Sequence, residues 1–134
     1  MGQRSGFGIA LKAVIWQDGK FLILKRTKNR QSEADLWEFP GGGLEIGEQY
    51  ESALIREILE ETALEASVIR PLSAWDAKRK DGTQVLGITF LCQLTGGSII
   101  LSDEHTDYAW IAPEEIDQFN VFSQMAKEVK SWSL

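Results

Sequence analysis

Arg56-Glu57-Ile58-Leu59-Glu60-Glu61 closes a run from Glu48 to Glu61 that holds no glycine or proline and is dominated by good helix formers. The run predicts a helix of about four turns. Glu57, Glu60 and Glu61 stand at i, i+3 and i+4, so their carboxylates share one helix face and repel one another. Most charged helix faces are solvated stripes, but here Tyr50, Ala53 and Leu54 lie on the strip that Glu57 and Glu61 continue. A strip that begins apolar and ends in clustered acid is poor core design. It makes physical sense if divalent cations neutralise it, and hard carboxylate oxygens are ligands that magnesium or manganese prefers.

The glycines just before this run fit the same picture. Magnesium commonly binds through a few carboxylates plus substrate phosphate oxygens, so a phosphate chain has to approach the acidic helix. Gly41-Gly42-Gly43 lets the backbone come close to it. Further upstream, apolar Gly8–Trp16, the turn Asp18-Gly19 and apolar Phe21–Leu24 predict a β-hairpin, followed by a polar loop over Thr27–Asp35. Downstream, strands are expected at Ala66–Ala77, Thr83–Leu94 and Ser98–Leu101, with a turn at Asp81-Gly82, and another at Tyr108–Ala112. Pro113 suits the start of a helical turn through Ile116, and Val121–Trp132 reads as a closing amphipathic helix. Mixed strands with helices before and after predict an α/β sandwich, as a single domain over residues 1–134.

With 134 residues and 43% apolar content the chain can bury one core. Fourteen Lys and Arg against twenty Asp and Glu give a net charge of −6, which argues against a protein that holds polymeric nucleic acid by its phosphates. A small nucleotide carried with a metal ion is not disfavoured by that balance. The single cysteine, Cys92, lies within the apolar run Ile88–Cys92 and reads as a core residue. Met1–Gly6 has Arg4 but no long apolar stretch behind it, and no segment has the length needed to span a bilayer, so a soluble cytoplasmic protein is expected. Apolar residues near Trp132 suit either the core or a homodimer contact, which leaves monomer and homodimer both open.

Gly42, Glu48, Arg56, Glu57, Ile58, Glu60, Glu61 and Leu64, with their spacing, resemble the signature box of the Nudix hydrolase family. One position departs, since Ala63 stands where the family has glycine, the natural residue for a left-handed helix cap. The resemblance extends through Trp37-Glu38-Phe39-Pro40-Gly41-Gly42 and, in element order, over nearly the whole chain, and is strongest to the MutT branch. It implies the Nudix α/β/α sandwich around a mixed sheet. It also implies a magnesium-dependent enzyme, with manganese as the alternative ion, that cleaves a nucleoside triphosphate to monophosphate and pyrophosphate. The box also fits enzymes of ADP-ribose, dinucleoside polyphosphates and nucleotide sugars, and some Nudix-like domains only bind. The latter usually lose box glutamates, whereas this chain keeps them all. A Tyr typical of diadenosine polyphosphate hydrolases is absent at Lys80-Asp81-Gly82, and a Pro typical of ADP-ribose hydrolases is absent at Arg79. An oxidised purine such as 8-oxo-dGTP, a cytidine triphosphate and a pterin triphosphate all remain open as substrate.

Residue by residue, the resemblance makes Glu57, Glu60 and Glu61 metal ligands. Arg56 would pair with Glu60 or Glu48, and Glu48 is either that partner or a further ligand through water. Glu61 and Glu104 are candidate general bases, and Glu104 also stands where MutT-type enzymes carry a further acidic metal ligand. Arg26 matches a position that meets the nucleotide, Phe39 is a candidate to stack a base or else a core aromatic, and Gly41 and Gly42 are a path for its phosphates. Asn120 is expected to read a base or cap the last helix. His105, the only histidine, reads as incidental.

Overall fold

The fold is set by two strands that begin as a hairpin and then part. In the computed structural model, which describes residues 6–27 and 35–134, β1 (Phe7–Gln17) and β2 (Lys20–Arg26) pair only next to their turn, at Trp16 with Phe21 and Gln17 with Lys20. Asp18 and Gly19 both take positive φ in that turn, the geometry that matches strand twist in a tight hairpin. The start Met1–Ser5 and residues 28–34, most of the loop expected at Thr27–Asp35, lie outside the described residues.

Beyond the turn each strand finds other partners. β1 runs parallel to β6 (Gln84–Gly96) from Phe7 with Gln84 to Ile15 with Cys92, and antiparallel to the short β4 (Gly41–Gly43). β2 pairs with β3 (Trp37–Glu38) and with β7 (His105–Ile111), while β6 carries β5 (Glu65–Lys78) as its outer neighbour. One parallel pairing among antiparallel ones makes the sheet mixed. Because β1 and β2 diverge, the β3–β4 corner fits between their far ends, with the Ala13 N–H donating to the Pro40 carbonyl at 2.8 Å.

Alternation along the strands supplies two cores. Leu11, Ala13, Ile15, Leu22 and Leu24 face α1 (Tyr50–Thr62), meeting Ala53, Leu54 and Ile58. Val14, Phe21 and Ile23 face the other way, toward the 3-10 turn Pro113–Gln118 and α2 (Ser123–Ser131), meeting Ile116, Met125 and Val129. Both faces of the central strands are therefore covered, which is the α/β/α sandwich expected. Trp132 belongs to this second core, its indole 5.9 Å from the Phe39 ring.

Three local expectations change. Ser98–Leu101 is not a strand: it runs past the end of α1, where the Ile100 N–H donates to Thr62 O at 2.9 Å and the Ser102 N–H to Glu61 O at 3.1 Å. The open carbonyls of a helix C-terminus are the stronger attraction for it than a sheet edge. Asn120 does not cap α2, whose cap residue is Phe122; the Asn120 carbonyl instead accepts from the Trp37 N–H at 2.9 Å. Helix α1 begins at Tyr50, so Glu48 precedes it.

Candidate active site

Helix α1 ends in the left-handed geometry that a glycine would take without strain, with Ala63 at φ 62° and ψ 12° and its N–H donating to Leu59 O at 2.8 Å. The departure from the box therefore leaves the helix end in place, and the methyl is simply strained there. With the helix so placed, Glu57 and Glu61 lie against the glycine strand. A Cβ on Gly42 would fall 2.7 Å from the Glu57 carboxyl, and the Gly41 N–H donates to Glu61 Oε1 at 3.0 Å. At Gly41, φ is 151° and a Cβ would meet the Leu11 carbonyl oxygen at 2.0 Å, so only glycine fits.

The four box acids have different surroundings. Glu61 is 6% exposed, and burial pushes its carboxyl up to about 7, against the opposing pull of the Gly41 N–H and of Lys12 and His105. Glu57 is also raised, first by burial and then by the charges of Glu60, Glu104 and Glu48, with Arg56 opposing. Glu60 is open to solvent. Arg56 ties the set together, its Nη2 2.8 Å from Glu48 Oε2 and its Nη1 3.1 Å from Glu60 Oε1 and 3.4 Å from Glu57 Oε1. Glu48 is held below the usual carboxylate range by the Glu45 N–H, at 2.8 Å, and then by Arg56.

Glu104 comes to this cluster because the chain after α1 is stitched to the helix end. Its own N–H donates to Ser102 Oγ at 3.3 Å, and its carbonyl accepts from the Thr27 N–H at 2.8 Å. Its charge is felt at Glu57.

The residues suggested for the nucleoside are divided. Phe39 is 3% exposed and packs edge-on to Phe21 with ring centroids 5.6 Å apart, so its ring is part of the core and cannot stack a base. Arg26 ends β2 with its guanidinium carbon 5.9 Å from the centre of the half-exposed Phe122 ring. Asn120 is exposed next to that segment.

Sequence reading missed a second cluster, where β1 and β2 diverge. Glu38 accepts from Arg26 Nη2 at 3.0 Å and Lys12 Nζ at 3.3 Å through Oε1, and its Oε2 lies 2.8 Å from His105 Nε2. Burial alone raises a carboxyl, but Lys12, His105 and Arg26 together outweigh it and hold Glu38 well below the carboxylate range. His105 is 5% exposed and so is structural to this cluster, not incidental. The available signal was a charge set inside apolar sequence: Lys12 within Ile9–Ile15, and Glu38 between Trp37 and Phe39. Cys92 is fully buried and its thiol is pushed up to about 12 by that burial, which removes it as a nucleophile.

Residues 6–132 match the family described as the NUDIX domain. The nucleoside triphosphatase NudI of Salmonella paratyphi B is 34% identical over 119 residues, which cover 81% of this chain and 84% of that protein. The solution structure of the E. coli ORF135 protein matches with a TM-score of 0.80 and 26% identity, over 95% of this chain and 89% of its own. The MutT protein of Methanosarcina mazei has the same fold, with a TM-score of 0.86 at 24% identity over 96% and 94% of the two chains. A sandwich with glycine-backed glutamates on its first helix, matched over nearly its full length, places this chain in the Nudix hydrolase family. It is a Nudix hydrolase. Among the described residues no helix is long and apolar enough to cross a membrane.

Proposed function

We propose that the chain hydrolyses a nucleoside triphosphate to nucleoside monophosphate and pyrophosphate with magnesium bound at Glu57, Glu60 and Glu61. The observation that carries this is the Glu57 carboxyl lying against Gly42, closer than any side chain at that position would allow. The likeness to a nucleoside triphosphatase supports the substrate class.

The residues present suit a hard divalent cation. Their donors are carboxylate oxygens, and Glu57 is raised partly by Glu60, Glu104 and Glu48, a repulsion that a bound cation would relieve. Among the described residues no three acids, histidines or cysteines already converge as an ion cage. Magnesium typically takes only one or two carboxylates and completes its shell with water and phosphate oxygens. When bound, it would neutralise phosphate charge and make a bound water more acidic.

The chain's own groups have separate tasks. Arg56 holds Glu48, Glu57 and Glu60 in place by a shared guanidinium. Glu61 is buried and raised toward neutrality, the range in which a carboxylate accepts a proton most usefully, and Glu104 is the exposed rival for that role. Glu61→Gln and Glu104→Gln separate the two, because only loss of the base removes the acidic limb of the pH–rate profile, where the rate rises as the base gives up its proton.

The test is to incubate the protein with magnesium and canonical and oxidised nucleoside triphosphates, ADP-ribose and diadenosine polyphosphates, measuring monophosphate, pyrophosphate and phosphate. Monophosphate plus pyrophosphate from a triphosphate, abolished by chelation and by Glu60→Gln, is the expected result. Turnover confined to ADP-ribose or dinucleotides, or diphosphate plus phosphate as products, refutes it.

A further inference from the structure

Glu38 gathers two cations from strands that have already parted. Lys12 comes from β1 and Arg26 from β2, while Glu38 itself stands on β3, and the three meet where those strands diverge. At these ion pairs one carboxylate faces two cations, a local surplus of positive charge, and Glu61 is the further acid that feels Lys12. Lys12 is only 20% exposed in its side chain, and a largely buried ammonium that shares its counter-ion favours a further acceptor. Its nearest acceptors are Glu38 Oε1 and Phe39 O, each at 3.3 Å, so among the described residues one of its three N–H donors has no assigned partner. Arg26 gives one of its five donors to Glu38.

The surplus lies beside the acidic helix. Lys12 is the strand partner of Gly41, whose N–H holds Glu61, and its charge is felt at Glu61. A cluster of carboxylates that has to receive a polyanion gains from cations at its border, which offset the repulsion the acids would otherwise exert on the phosphates. An ion cluster of this kind is weak evidence for stability alone, since apolar side chains of similar volume would serve the fold as well.

We propose that Lys12, held together with Arg26 by Glu38, contacts the phosphate chain of the substrate, with Glu38 as a positioning residue. The ligand class is a diphosphate or longer phosphate chain, whatever nucleoside carries it. The proposal rests on the reading that a phosphate chain is processed at the acidic helix, but not on which substrate bears it.

Inorganic pyrophosphate, titrated calorimetrically in magnesium buffer into the wild type, Lys12→Met, Lys12→Arg and the double variant Lys12→Met with Glu38→Gln, tests this, with thermal unfolding recorded for each. Lys12→Met is expected to weaken pyrophosphate binding by at least about tenfold, and Lys12→Arg to retain most of it. The double variant, which removes the stranded carboxylate, is expected to regain the melting temperature and not the affinity. Wild-type affinity in the double variant would show that Lys12 only neutralises Glu38 and would overturn the proposal, as would a wild type that does not bind pyrophosphate. A wild type that hydrolyses no triphosphate, yet loses pyrophosphate affinity on Lys12→Met, would sink the proposed substrate and leave this subsite standing.

Discussion

Ala63→Gly should stabilise this protein, against the usual direction of glycine substitutions. Ala63 sits at φ 62° and ψ 12°, where an L-residue with a Cβ pays roughly 1–2 kcal/mol and glycine nothing comparable. Glycine also widens the freedom of the unfolded chain, which opposes the gain by about 0.4–1 kcal/mol. The cap N–H to Leu59 O, at 2.8 Å, is a backbone bond and survives the change. The difference is a net gain of about 0.5–1 kcal/mol, or roughly 2–5 °C in melting temperature for a chain of this length. Urea unfolding followed by circular dichroism measures it directly: the midpoint should rise with the slope unchanged. Turnover should stay within about twofold, because the carboxylates on the preceding turn keep their backbone. An unchanged or lower midpoint would refute the argument, since it would mean that the methyl contributes packing worth more than the strain.

The two glycines of β4 should fail in different ways. Gly42→Ala places a methyl 2.7 Å from the Glu57 carboxyl, the movable end of a side chain, so turnover should fall by about a hundredfold or more while the melting temperature changes little. Gly41→Ala drives a Cβ to 2.0 Å from the Leu11 carbonyl, which is backbone, and should cost roughly 3 kcal/mol or more in urea unfolding. The metal-free protein should lose stability as pH rises from about 4.5 to about 7, because Glu61 keeps its proton in the folded state up to about 7 and releases it earlier when unfolded. That loss is at most about 3 kcal/mol, and Glu61→Gln should abolish it in chelator-treated samples; an equally steep decline in the variant would contradict the assignment. Glu38 acts in the opposite sense: its carboxyl is depressed, so its contribution is present above about pH 4.5 and is lost as pH falls below that value, which Glu38→Gln should remove from the acid limb of the same scan.

What the sequence determined by itself is what short-range geometry fixes. Residues at i, i+3 and i+4 must share a helix face, so the placing of Glu57, Glu60 and Glu61 along one side of α1, and the reach of Arg56 to Glu60, were legible once the helix was. The hairpin at Asp18-Gly19 was legible for a similar reason, because a two-residue turn needs positive φ. Mixed strands with helices before and after them announced a sheet covered on its faces and hence a sandwich.

Only the tertiary structure decided which strands pair once the hairpin has ended. The parallel register of β1 with β6 and the departure of β2 toward β3 and β7 part the two strands, and no local pattern encodes them. That divergence brings Lys12, Arg26 and His105 to Glu38, the last of them 67 positions from it in sequence, and it turns Phe39 into the core although a base was a reasonable partner for it. It also left Ser98–Leu101 beside the carbonyls of α1, carrying Glu104 toward Glu57. The helix half of the site is written in spacing along one element, whereas the cationic half exists only where separate strands are held by the burial of both sheet faces.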